Sequence, residues 1–151
     1  MRDEEEEIMD ALKEMFAKNQ KRSRILVNFG FDDLWEEMGA KELKKEKARQ
    51  MVYYFCNWIL DTIMGIVPPE TAFEIEEILD QHLCIEQVNR KYNVNLIEEL
   101  DREFVEKYGD KFESKEEFEE IARKFDEEWL KTPRKDLGGK TPEEAMAEFE
   151  I

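Results

Sequence analysis

Apolar residues recur along this chain at helical rather than strand spacing. Ile8, Leu12, Met15 and Phe16 fall on one face of an amphipathic helix from Asp3 to about Asn19, and the run Glu4 to Glu7 favours its start through the helix macrodipole. A basic segment, Lys18 to Arg24, then breaks the pattern. Ile25 to Phe29 looks briefly strand-like before Gly30, but no second run could pair with it, so it does not announce a sheet. Asp32 or Asp33 can cap a short helix through Met38, closed by Gly39. The next helix is predicted from about Lys41 to Met64, before Gly65 and Pro68-Pro69. Its charged first half should project to solvent, while Met51, Val52, Phe55, Trp58, Ile59 and Ile63 are expected to be buried.

Pro69 suits the first turn of a helix to about Arg90, whose apolar stripe reads Ala72, Ile75, Ile78, Leu79, His82 and Ile85. Asn93 or Asn95 restarts the chain for Leu96, Leu100, Phe104 and Tyr108, and Gly109 ends that helix. Ser114 and Glu117 make a capping box for Phe118, Ile121, Ala122, Phe125 and Trp129, the cleanest periodicity present. Thr132-Pro133 then stops the helix, and Gly138-Gly139 supplies a turn needing positive φ. Thr141-Pro142-Glu143-Glu144 reads as N-cap, first-turn proline and capping-box glutamate. Trp129 and Leu137 can pack together and fix where a last helix, Pro142 to Phe149, docks through Met146 and Phe149. The predicted fold is an all-α compact bundle of six to seven helices. It forms a single domain over 1–151, with 1–24 a peripheral N-terminal helix and 131–151 a turn plus docking helix.

Composition supports this reading. A hydrophobic share of 41% in 151 residues is enough for one core. Charged residues also reach 41%, with mean hydropathy −0.75, which by itself would suggest disorder; 10 Phe, 4 Tyr and 3 Trp at helical spacing argue against it. The net charge of −16 disfavours nucleic acid and anionic membranes and makes a basic protein partner the easier electrostatic match. Residues 70–128 hold 20 acidic and 8 basic side chains, which makes the second half the expected contact surface. Cys56 and Cys84 lie in apolar helical runs, as free thiols of a reducing cytoplasm do. MRDEEEE is unlike a signal peptide, and no apolar run approaches the roughly 18 residues of a membrane span.

Chemistry finds little purchase. Gly139-Lys140-Thr141 invites a phosphate loop, but Arg134 stands where the earlier glycine belongs and Pro142 removes an N–H that would hold phosphate. His82, with Glu86 one turn further on and Asp80 nearby, is the candidate metal group. A bundle di-metal site would want paired Glu-x-x-His, whereas position 79 is Leu and no second histidine exists. A lone histidine on an apolar stripe reads as a hydrogen-bonded core residue, so neither metal nor cofactor is expected. Cys84 is too close in sequence to face His82, Cys56 lies between Phe55 and Trp58, and no serine sits in a nucleophile elbow. The basic patches Lys18–Arg24 and Lys41–Arg49 read as solvated faces whose charges pair within the helix.

Trp129 to Met146, W-L-x-T-P-x-x-x-L-G-G-K-T-P-x-E-A-M, resembles the tail of uncharacterised small bacterial proteins that sometimes carry a SecA-type zinc tail. It is also similar to the toxin-binding domain of MbcA/ParS antitoxins and to the end of transposase integrase cores. The zinc-tail cysteines are absent, so no metal carries over. The antitoxin domain continues past this turn, and the integrase core is strand-rich. The resemblance implies a small bacterial or archaeal protein and, through the antitoxins, a toxin-neutralising role. The concave turn, with Trp129, Arg134, Lys135, Leu137, Gly138, Gly139 and Lys140, is the candidate partner-binding site. The expected function is protein–protein interaction without catalysis. The alternatives are an antitoxin-like protein and a metal-dependent enzyme using His82 and nearby carboxylates. Met51 to Ile63 would serve a core or a dimer interface equally well, which leaves the oligomeric state open.

Overall fold

A single helix, α1 (Glu4–Met38), runs through the region where the sequence pattern suggested a helix, a strand-like run and a second helix. The reason lies in what it buries. Met15, Asn19, Ser23, Val27 and Phe31 follow one another at steps of one helical turn and all are buried, with Arg22 beside them. Polar members of that line erase the apolar periodicity at the point where the helix was expected to end. Residues from Leu12 to Ser23 therefore contribute to the core, while residues 2–11 are exposed. This computed structural model describes residues 2–38 and 44–151; the expected stop at Gly39 and start at Lys41 lie outside them.

Helix α2 (Lys45–Ile66) ends where Val67 turns extended ahead of Pro68, the backbone that a following proline demands. Helix α3 (Pro69–Tyr92) starts on a proline whose missing N–H is no loss in a first turn. Then come α4 (Leu96–Tyr108), α5 (Lys115–Leu130), a 3-10 turn (Lys135–Leu137) and α6 (Pro142–Ala147), which stops two residues short of the expected Phe149. No strand occurs among the described residues, and the fold is all-α.

The chain divides into two compact units. The first comprises α1, α2 and α3 as far as Leu83. Met15, Met64 and Ala72 form its apolar centre, and Leu12, Phe16, Phe73 and Leu79 pack around them. α1 and α2 lie along each other.

The second unit, from Cys84 to Glu150, has its own core of Val88, Leu96, Phe125, Trp129, Leu137 and Ala145. Its helix ends are closely specified. Asn95 caps α4 by accepting from the Glu98 N–H at 3.3 Å, and Asn89 Oδ1 accepts from the Leu96 N–H at 2.9 Å. Ser114 caps α5 at 3.1 Å, but the Glu117 carboxylate reaches back to the N–H of Glu113, at 2.8 Å, rather than to that of the cap residue. Thr141 and Glu144 complete a reciprocal capping box at the start of α6. Phe104 lies within 5.3–5.9 Å, ring to ring, of Tyr108, Phe112, Phe118 and Phe125.

Candidate interaction surface

Arg22 organises the first unit. It is fully buried, and its guanidinium donates to both Asp80 oxygens (2.6 and 2.8 Å), to Glu76 (2.7 Å), to the Met15 carbonyl (2.9 Å) and to Asn19 Oδ1 (2.8 Å). Burial works against the charge on Arg22, yet the bonds to Asp80 and Glu76 outweigh it and hold its pKa above the ordinary value. Asn19 passes the network to α2, donating from Nδ2 to Asp61 Oδ1 at 2.8 Å. Asn57 donates to the other Asp61 oxygen at 3.4 Å and receives the Ser23 hydroxyl at 3.5 Å. Among the described residues no buried side-chain nitrogen or oxygen lacks a partner.

This network fixes the rotation of α2. Asn57, Asp61 and Met64, at helical spacing, face inward, and the apolar side of the helix therefore faces out. Met51 is 64% exposed, Tyr54 60%, Phe55 63%, Trp58 63% and Ile66 77%, with Val52, Ile59 and Ile63 exposed beside them. The expectation that Met51, Val52, Phe55, Trp58, Ile59 and Ile63 form core is therefore overturned. Amphipathicity identifies two faces, and here the polar one meets a polar neighbour. Phe55 and Trp58 stack edge to face at 5.8 Å. Between Gln50 and Ile66 the one charged side chain is Asp61, which is turned inward. With side-chain areas on the order of 150–250 Å², the exposed fractions amount to a patch of roughly 900 Å², above the 300–600 Å² typical of a monomer.

At its charged end α2 is tied to α1, and the Glu42 member of the expected intrahelical pairs lies outside the described residues. Arg49 donates to Asn28 (3.0 Å) and Asp32 (2.7 Å) and lies 5.1 Å over the Phe31 ring, while Lys45 reaches Asp32 at 3.0 Å. Lys45 and Arg49 together hold the Asp32 carboxyl below its usual pKa.

The C-terminal turn directs most of its side chains into its own unit. Trp129 is buried and its indole N–H donates to Glu103. Arg134 lies 4.9 Å over that indole and donates to both Glu103 oxygens (3.0 and 2.9 Å), to both Asp136 oxygens (3.0 and 3.1 Å) and to Glu99 (3.4 Å). Leu137 is fully buried; Gly138 and Gly139 have φ of 66° and 86°, and the loop closes through Gly139 N–H to the Arg134 carbonyl at 2.8 Å. Lys140 donates to Glu148 (2.5 Å) and Tyr92 (3.2 Å), and Lys91 pairs with the same carboxylate. Lys140, then Lys91 and Tyr92, pull the Glu148 pKa down to about 2. Lys131 and Lys135 lie at the surface.

On α3 the buried positions are Ala72, Leu83, Cys84 and Val88, so His82 is exposed instead of belonging to the apolar stripe, and Ile78 is exposed with it. Glu86 is exposed and Asp80 is engaged by Arg22, so the three candidate metal groups do not converge. No cluster of three or more potential metal ligands occurs among the described residues. Cys56 and Cys84 are not joined in a disulfide, and Cys84 donates to the Phe149 carbonyl at 3.1 Å. No described helix is long and apolar enough to cross a membrane.

Sequence reasoning missed the α2 surface, although one signal was present. Asn57 and Asp61 stand one turn apart within the mainly apolar stretch Met51 to Ile66 of α2, matched by Asn19, Arg22 and Ser23 at helical spacing in α1. The chain belongs to a family of unknown function (DUF8423), whose model matches residues 13–150 and so spans all of α2 and every member of the Arg22 network. No curated protein and no solved structure matches the chain.

Proposed function

We propose that this member of the family works by binding another protein through the outer face of α2, without catalysing a reaction of its own. The supporting observation is the orientation of that helix: Asn57 and Asp61 are engaged by α1, and Phe55, Trp58 and Ile66 are left to water. Exposing that much apolar surface opposes solubility, and burial against a partner relieves it. The acidic remainder of the chain suits this role, because a net charge of −16 suppresses nonspecific association while the apolar patch stays locally neutral. The acidic helices α4 and α5 are less suited to act as the contact surface, since many of their charges pair along the helix, as in Glu99–Arg102–Glu106, Glu120–Lys124 and Arg123–Glu127.

Size-exclusion chromatography of native extract tests the proposal. The chain should elute well above its 18.2 kDa monomer mass and return to it when Phe55→Asp and Trp58→Asp are introduced together. Elution of the unmodified chain as a monomer in extract would overturn it.

A further inference from the structure

We infer that the occupant of the α2 face is a second copy of this chain, in a two-fold pair that sets α2 against α2. The inference rests on the binding role proposed above and names the partner.

Area is the first argument. A patch of roughly 900 Å² on each copy matches the approximately 800 Å² per partner buried in stable interfaces of standard size. Burial of three aromatic side chains at the centre of the contact fits the composition of interface cores.

Charge is the second. Two chains of net charge −16 repel each other, but the repulsion falls mainly outside the contact. Residues 1–69 carry 14 acidic and 11 basic side chains, and α2 presents no charge outward between Gln50 and Ile66. A partner lacking complementary charge at this face suits it, and a copy of the same face meets that condition.

Symmetry is the third. Met51 and Ile63 lie equally far along the helix from Asn57, with Phe55 and Trp58 near the midpoint. A two-fold axis over that midpoint brings Met51 of one copy to Ile63 of the other and the aromatic pairs together, an isologous contact that closes on itself. The antiparallel sense is favoured because it keeps Lys47, one helical turn before Met51, away from its own copy. A parallel pair would set Lys47 against its own copy.

The test is sedimentation equilibrium of the purified full chain at micromolar concentration. The expected mass is about 36 kDa, twice 18.2 kDa. Phe55→Asp with Trp58→Asp should halve that mass while leaving the far-ultraviolet circular dichroism unchanged, and Val105→Asp, at an exposed apolar site on α4, should leave the mass intact. An equimolar mixture of Met51→Cys and Ile63→Cys chains should form disulfide-linked pairs faster than either variant alone; the reverse order would overturn the antiparallel sense. A monomeric wild type, or a Phe55/Trp58 variant that stays dimeric, overturns the inference. A chain that is monomeric when pure but assembles in extract through Phe55 and Trp58 removes only the second copy. Monomeric behaviour in both settings removes the binding role as well.

Discussion

Replacing Arg22 with methionine keeps the length of the side chain and removes every bond it makes: the two-point grip on Asp80, the bond to Glu76, and those to the Met15 carbonyl and Asn19. Stripping one partner from a fully buried ion pair costs about 3–5 kcal/mol, chiefly because the other charge is left behind. Here the carboxylates left behind are 24% exposed at Glu76 and 23% at Asp80, so water recovers part of their solvation. The expected loss is therefore about 2–4 kcal/mol. Urea unfolding followed by circular dichroism reads it directly. With a slope of about 1.5 kcal/mol per molar urea, the midpoint should fall by roughly 1.3–2.7 M. Adding Glu76→Gln and Asp80→Asn to Arg22→Met removes the abandoned charges and should recover about 1 kcal/mol or more. A midpoint drop below about 0.3 M for Arg22→Met would refute the reasoning, because it would show that α1 and α3 are held together without this network.

Three further outcomes follow from the second unit. Gly138→Ala should cost about 1–2 kcal/mol in thermal unfolding, since φ is 66° and the added Cβ meets nothing within 4 Å; Gly138→Asn should cost less, and equal costs would mean that the left-handed backbone is not the cause. Glu148 has a folded pKa of about 2 against an ordinary 4.5, so its ion pairs stabilise fully above pH 4.5 and lose their contribution as pH falls toward 2. The stability gap between wild type and Glu148→Gln should be constant above that window and close within it; a gap independent of pH contradicts the assignment. Trp129→Phe keeps a ring in the core but leaves Glu103 without the indole donor, and should lower unfolding stability by about 1–3 kcal/mol, with no change counting against that bond.

The two units were not equally legible. In the second, local chemistry and tertiary placement agree. Asn95, Ser114 and Thr141 cap the helices they precede, Gly138 and Gly139 adopt positive φ, and Leu137 sits in one core with Trp129. Each of those features is decided within a few residues, which makes it readable from a short stretch of sequence. In the first unit the decisive interactions cross between helices. Arg22 reaches Asp80 and Glu76, and Asn19 reaches Asp61, so the buried side of α1 is partly polar. A reading that equates apolar with buried ends α1 at Asn19 and turns α2 inside out. The amphipathic pattern of α2 was visible from the start; its direction depended on a partner surface that no local rule describes. His82 illustrates the same limit, since the stripe assigned to α3 was displaced enough to move it from interior to surface.

The central claim is that α2 turns its polar side inward, and the folding of a Phe55→Ser/Trp58→Ser double variant tests it most directly. If both side chains face out, the isolated variant keeps the helix content of wild type and unfolds in one cooperative urea transition. If they belong to the core, their loss removes about 6–10 kcal/mol from a stability of typically 5–15 kcal/mol, and the variant shows depleted helix signal with no cooperative transition.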